Sequence, residues 1–260
     1  MTEGFDPDAV ATALRRARLD RTLVLPLTGA PSTVAEGALA QLALARLVGS
    51  AVPAGFKIGA TGKRMQEYLG LTGPAAGFME AGNVYRDRAD LRFADYIKPG
   101  VECEIAVRLA HDLPPGVYTA EAVVGAVGEV IAGVEIVENR YDDLVALGTP
   151  TLIADQVYHC AAVTGSLDGV DWRGLDVGAL RGRISVDGVV RDEGISTDLM
   201  GHPFNCLSWL ASSEVAAAFG GLKAGQTVLL GSVTPPVWLD APGTVTVEFS
   251  PLPAVTVRLG

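Results

Sequence analysis

Val101-Glu102-Cys103-Glu104-Ile105-Ala106-Val107 is the stretch on which the fold turns. The run is short, rich in β-branched residues and entered through Pro99-Gly100, so it reads as a β-strand. Side chains alternate across a strand, which puts Glu102 and Glu104 on one face and Val101, Cys103 and Ile105 on the other. A second run, Ile131-Ala132-Gly133-Val134-Glu135-Ile136-Val137, ends at Asn139 and carries another glutamate. Buried carboxylates are costly unless paired. Two like charges about 4 Å apart repel by about 4 kcal/mol at an effective dielectric near 20. Three carboxylates meeting on one face therefore call for a cation, and oxygen-only ligation suits Mg2+ or Mn2+. From spacing alone, the alternative is an ordinary solvent-facing polar side of a strand.

The remaining composition narrows the function classes. The 260 residues are about half apolar, enough to bury a full core in one domain or in one domain with an arm. The formal charge is −10 and no basic patch stands out, which argues against nucleic-acid binding. An acidic surface does not capture anionic substrates either, so a metal has to supply local positive charge. Cys103, Cys160 and Cys206 are scattered, odd in number and without zinc spacing, which predicts a reducing cytoplasmic setting. The acidic opening MTEGFDPDAV does not read as a signal peptide, and no apolar run reaches the length of a membrane span.

Along the chain, residues 7–19 read as a helix with Asp6 as N-cap. A second helix begins after Ser32 or Thr33 and runs to Val48, ending near Gly49. A short strand over 54–61 and a helix over 63–69 follow. The Gly-, Ala- and Asp-rich stretch from Gly70 to Asp95 reads as loops over a site. Strands are then expected near 101–109, 129–138, 159–165, 181–192, 227–231, 244–249 and 254–258. Helices are expected over 119–126 and 203–219, the latter opening at Pro203 and ending at Gly220-Gly221. This divides the chain into an N-terminal helical arm, 1–50, and one mixed β domain, 51–260.

Five stretches carry a resemblance: GFKIGATGKRMQEYLGL at 55–71, VECEIAVRL at 101–109, GVEIVENRYDD at 133–143, GHPFNCLSWLAS at 201–212 and LKAGQTVLLGSVTPPV at 222–237. In this order and spacing the chain resembles the 2-keto-4-pentenoate hydratase and 4-oxalocrotonate decarboxylase branch of the fumarylacetoacetate hydrolase superfamily, from about residue 5 to its end. The resemblance implies an α+β fold, a mixed rolled β-sheet with helices around it. It also implies a homo-oligomeric lyase of aromatic catabolism acting on a small 2-oxo or 2-hydroxy-dienoate acid through an enolate. Hydration of a 2-hydroxy-2,4-dienoate is the leading reaction. The alternatives are vinylogous decarboxylation, C–C hydrolysis of an acylpyruvate, and a tautomerase or cyclase of natural-product biosynthesis.

Carried over residue by residue, the resemblance puts a divalent Mg2+ or Mn2+ on Glu102, Glu104 and Glu135. Glu138 is the rival third ligand, but it is out of phase with Glu135 in strand alternation, so both face the site only if the strand bulges. Lys57, in the G-x-K-x-G segment, is implied as a proton shuttle whose burial beside a metal lowers its pKa, or as the salt-bridge partner of a site glutamate. Glu80 lies where relatives carry an acidic loop residue of catalytic or ordinary role. Arg140 either binds a substrate carboxylate or pairs with Asp142 or Asp143. The Thr234 hydroxyl is implied in substrate binding, and His202 in a structural hydrogen bond at a helix start. One segment departs from the pattern. Hydratase relatives carry an Asp-Asn-Ala-Ser-Ser-like stretch, whereas this chain has Asp155-Gln156-Val157-Tyr158-His159-Cys160. His159 and Tyr158 are then either new catalytic and substrate-binding groups or packing residues.

Overall fold

The computed structural model describes residues 4–166 and 170–260. Two helices open the chain, α1 (Pro7–Asp20) and α2 (Val34–Leu47). Asp6 caps α1 by accepting from the amides of Asp8 and Ala9, and Thr33 with Glu36 forms a capping box at the start of α2. Then come β1 (Gly55–Gly59), α3 (Lys63–Tyr68), β2 (Ala75–Met79), β3 (Val84–Arg86), β4 (Arg88–Leu91) and β5 (Pro99–Leu109). The middle of the chain forms α4 (Ala120–Val124), β6 (Val127–Glu138), α5 (Leu144–Leu147), α6 (Thr149–Ala154), β7 (His159–Thr164), β8 (Arg181–Val186) and β9 (Val189–Ile195). The last part holds α7 (Pro203–Ala211), α8 (Glu214–Ala218), β10 (Thr227–Ser232), β11 (Val237–Trp238), β12 (Gly243–Phe249) and β13 (Val255–Leu259).

The strands form two mixed sheets. The larger has the order β2-β1-β10-β5-β6-β7-β3, with β11 added on β5, and the smaller has the order β4-β13-β12-β8-β9. The large sheet rolls until β2 comes close to β7 near its other end. Its centre is the long antiparallel pair β5–β6, where Glu102 stands opposite Glu135 and Glu104 opposite Gly133. The alternation expected for β5 holds. Val101, Cys103 and Ile105 join the main core on the outer face of the roll. The inner face carries a small separate apolar cluster of Met79, Ala106, Ile131, Ala162 and Leu229. The mixed rolled sheet with a few helices is the α+β class that the resemblance implied.

Several local expectations need correction. The stretch from Gly70 to Asp95 is not loop alone: β2, β3 and β4 lie within it, and β2 is buried along its whole length. Ala-Ala-Gly-Phe-Met lacks β-branched residues, so propensity did not mark it. Its small residues answer to crowding. A Cβ on Gly77 would sit 2.3 Å from the Gln156 carbonyl oxygen, and the buried Gln41 side chain of α2 bonds Ala76 O and the Phe78 amide. The single strand expected over 181–192 is a hairpin, β8–β9, turning at Asp187-Gly188 with φ of 51° and 77°, the Asp-Gly signal of a two-residue turn. The helix expected over 203–219 breaks into α7 and α8, because Ser213 caps the second helix by accepting from the Ala216 amide.

Candidate active site

The site lies on the inner face of the roll. β5 supplies Glu102 and Glu104, β6 supplies Glu135, β1 supplies Lys57 and the start of β7 supplies His159. Glu102, Glu104 and Glu135 each offer a carboxylate oxygen within 4.8 Å of the others. Glu104 Oε2 accepts the Gly231 amide at 2.7 Å. Glu135 Oε1 meets both Lys57 Nζ at 3.1 Å and His159 Nδ1 at 2.9 Å. Among the described residues, Glu104 Oε1 and Glu135 Oε2 are buried with no hydrogen-bond partner.

These orphan oxygens test the fit of a cation. Buried carboxylate oxygens left unmatched are expensive, and two of them belong to this one cluster. Three carboxylates and the Lys57 ammonium leave a formal deficit of two positive charges, the charge of one divalent ion. An all-oxygen donor set suits a hard cation. Glu102, Glu104 and Glu135 therefore fit a divalent metal.

Electrostatics agree. Burial, then the neighbouring Glu135, pushes the Glu102 carboxyl up to about 8. Burial and the other two glutamates hold Glu104 well above the usual carboxylate range, and burial raises Glu135 despite Lys57. Lys57 takes the salt-bridge position that is the alternative in its sequence reading, 3.1 Å from Glu135. Burial works to lower its pKa, but Glu135, Glu102 and Glu104 outweigh burial and raise it, so without a metal it is a cation. His159 is pushed well below its ordinary value by burial, with Lys57 and Arg18 adding to the effect. A neutral imidazole that donates Nδ1–H to a carboxylate presents a lone pair at Nε2, and that atom is buried and unpartnered.

A pH dependence follows. Between its ordinary 4.5 and about 8, the unfolded chain has released the Glu102 proton while the folded metal-free protein keeps it. The folded state then binds more protons, so stability falls as pH rises through that window. A bound divalent cation removes this penalty. The rise in Tm on adding Mg2+, read by scanning calorimetry, is expected to grow between about pH 6 and pH 8. A gain that shrank or stayed flat with rising pH would count against the cluster as a metal centre.

The other expected residues fall around this core. Glu138 points away: Oε1 accepts the Ile97 amide at 2.5 Å, and Oε2 lies 3.5 Å from Arg140 Nε. Arg140 does not pair with Asp142 or Asp143; its Nη2 meets both Asp155 oxygens at 2.5 Å, leaving Nη1 buried and unpartnered. Glu80 is half-buried and sits within the electrostatic reach of His159 and Arg18. Thr234 is buried with an unpartnered hydroxyl. His202 caps α7 by accepting the Phe204 amide. Tyr158 stacks edge-on against Tyr141, ring centroids 5.2 Å apart.

Two supporting residues escaped sequence reasoning. Asp155 gathers Arg140, the Tyr141 hydroxyl at 2.6 Å and Arg18 at 3.5 Å. It anchors three consecutive residues in left-handed conformation, Gln156, Val157 and Tyr158 with φ of 60°, 54° and 67°, and these deliver His159 to Glu135. Such a run is unfavourable for side-chain-bearing residues and persists only where surroundings enforce it. Arg18, from α1, donates to the His159 carbonyl at 2.9 Å. Nothing in the basic run Arg15-Arg16-Ala17-Arg18 distinguishes it from a surface residue.

No family model matches the chain. Its sequence is 31% identical over 252 residues to a 2-keto-4-pentenoate hydratase of Paraburkholderia phymatum, covering 95% of each chain. It is 33% identical over 210 residues to a 2-hydroxyhexa-2,4-dienoate hydratase of Comamonas testosteroni, covering 75% of this chain and 78% of the other. A 4-oxalocrotonate decarboxylase of a Pseudomonas species is 30% identical over 234 residues, 88% of this chain and 89% of that one. In fold, the chain matches the 4-oxalocrotonate decarboxylase from Pseudomonas putida G7 complexed with magnesium and adipate. The TM-score is 0.83 at 22% identity over 98% of this chain and 97% of that one. No helix of the described residues is long and apolar enough to cross a membrane.

Proposed function

The chain belongs to the 2-keto-4-pentenoate hydratase branch of the fumarylacetoacetate hydrolase superfamily, and from that premise we propose that it is a divalent-metal-dependent lyase that hydrates a 2-hydroxy-2,4-dienoate. The observation that carries the proposal is the inner-face cluster itself. Three carboxylates lie within 4.8 Å of one another, with an ammonium and an imidazole both bound to one oxygen of Glu135. Mg2+ or Mn2+ held by Glu102, Glu104 and Glu135 would supply Lewis-acid stabilisation of negative charge on the 2-oxo acid.

The chain's own residues divide the proton work. Hydration needs the 2-hydroxyl proton removed and a proton placed on C5, which leaves a conjugated 2-oxo-3-enoate. Water then adds at C4 and a proton at C3. Lys57, a buried cation beside Glu135, is the group with a proton to give. His159 offers Nε2 as the acceptor for the proton of the entering water, while its Nδ1–H stays on Glu135. Glu80 flanks this pair as a further carboxylate. Among the described residues the Thr234 hydroxyl and Arg140 Nη1 are two of the buried donors without a partner, beside Arg18 Nη2 and the Thr151 hydroxyl, and these two are assigned to substrate oxygens. The three free cysteines support a cytoplasmic setting.

A second reading, vinylogous decarboxylation, has a specific basis in the decarboxylase relative that aligns with 88% of this chain. It would use the same site and the same enolate. One experiment separates the readings. Metal-loaded protein is mixed with 2-hydroxypenta-2,4-dienoate and, separately, with a vinylogous 2-oxo diacid, and loss of the dienol absorbance is followed with product masses. Gain of one water by the dienoate is the expected result. Loss of CO2 from the diacid without hydration of the dienoate would establish the second reading, and C–C cleavage would exclude both.

A further inference from the structure

The site has a direction, set by a burial gradient along β5. Glu102 is half-buried, whereas Glu104 and Glu135 are fully buried. Inward of them the same face is filled by Ala106, Ile131 and Leu229. The open end is therefore the start of β5, where Gly100 is the next residue outward on the face of Glu102.

Residues paired across antiparallel strands share a face. Gly100 is paired with Trp238 of β11 on one side and with Val137 of β6 on the other, and Val137 is paired with His159 of β7. Trp238, Gly100, Val137 and His159 thus form one row across four strands. The row lies two residues out from the pair Glu102 and Glu135, about 7 Å along the strand. It carries the imidazole at one end and an indole at the other.

The indole has a built seat. A Cβ on Gly100 would lie 2.8 Å from Trp238 Cε3, 2.9 Å from Cζ3 and 3.1 Å from Val137 Cγ2. The bare glycine lets the ring lie across β5 towards Val137. Lys98 Nζ stands 5.6 Å from the ring centroid, within cation–π range, and helps to hold it. Trp238 is still 39% exposed, whereas Val137 and His159 are buried. The ring is a fixed apolar surface that remains open, one step outward from the glutamate cluster.

A substrate whose head lies at the glutamates cannot extend inward, where the face is filled. It extends outward through this row. His159 is assigned to the water that adds at C4, so the carbons beyond C4 are those that reach the indole. We propose that Trp238 is a specificity-determining residue, the wall on which an apolar alkyl or alkenyl tail of the substrate rests. The proposal rests on the reading that the 2-oxo acid head binds at the glutamate cluster.

The test uses pyruvate and 2-oxohexanoate, neither of which has a C=C bond to hydrate. Their binding to the Mg2+-loaded protein is measured by titration calorimetry. The longer acid is expected to bind about tenfold tighter, because three more methylenes leave water. Trp238→Ala is expected to cut that ratio to about twofold or less, and Trp238→Phe, which keeps a ring on Gly100, to retain most of it. Tryptophan emission gives a second readout. 2-Oxohexanoate should shift it to shorter wavelength by covering the exposed indole, pyruvate should not, and Trp238→Phe should lose the shift. A wild-type ratio near one overturns the proposal, as does a shift that persists in Trp238→Phe. A ratio unchanged in Trp238→Ala also overturns it, including the case in which both acids weaken equally, as they would if the indole only supported the fold. If neither acid binds, the head-site reading falls and the proposal with it. Turnover is read separately. If the ratio collapses in Trp238→Ala but no dienoate gains water, the tail wall stands and the hydratase reading falls.

Discussion

Glu135→Gln is expected to weaken Mg2+ binding by at least about 10²-fold, the upper end of what even supporting residues of metal sites contribute, and to abolish dienoate turnover. Glu135 has three partners to lose at once. Its Oε1 holds Lys57 and His159 together, and its Oε2 is one of the two buried oxygens left for a cation. An amide can keep one acceptor, but it cannot supply charge. Glu138→Gln is the matched control, three residues along the same strand. Its carboxylate accepts the Ile97 amide and faces Arg140, so the amide variant is expected to lower Tm by a few degrees while changing Mg2+ affinity less than about threefold. Titration calorimetry on chelator-stripped protein gives both affinities. If the two variants lost metal equally, the choice of Glu135 over Glu138 as third ligand would fail.

The choice between those two glutamates shows what the sequence carries. Alternation along one strand is a local rule, so Glu102 and Glu104 on one face, and Glu135 out of phase with Glu138, were legible from residue order alone. That Glu102 stands directly opposite Glu135 was not, because the register of two strands separated by a turn and α4 depends on packing across the whole sheet. Lys57 illustrates the same limit in electrostatics. Burial was inferable from its apolar neighbours, and burial alone lowers a lysine. The net direction is set by three carboxylates brought from β5 and β6, and it is upward.

The 155–160 segment was visible as a departure but not as a structure. Its left-handed run has no glycine to announce it, and what holds it is remote: Arg140 and Tyr141 from the end of β6, Arg18 from α1, and the bare Gly77 against the Gln156 carbonyl. Long-range polar anchors of this kind leave no periodic trace. The Asp187-Gly188 turn is the opposite case, a local signal sufficient to split 181–192 into a hairpin.

Lys57→Met is expected to lower kcat for dienoate hydration about 10²–10⁴-fold, the range for loss of a positioned acid or base, or about 3–5 kcal/mol of barrier. Metal affinity should hold. Lys57 repels a cation in the cluster but also orients Glu135, and removing it cancels a cost against a benefit; His159 still holds Glu135 Oε1. A fall in kcat does not by itself distinguish proton transfer from charge stabilisation. Lys57→Arg does. A guanidinium retains the positive charge and donors toward Glu135 but does not give up a proton near neutral pH. If Lys57 transfers the proton, the Arg variant should be about as slow as the Met variant, with KM changed less than kcat in both. If Lys57 serves only as a counter-charge, Arg should recover most of the activity. Solvent deuterium isotope effects on the wild-type protein add an independent readout, since a proton moved by Lys57 in the slow step makes turnover slower in D2O. Wild-type kcat in Lys57→Met would remove Lys57 from the chemistry and leave it as the ion that holds Glu135 in place.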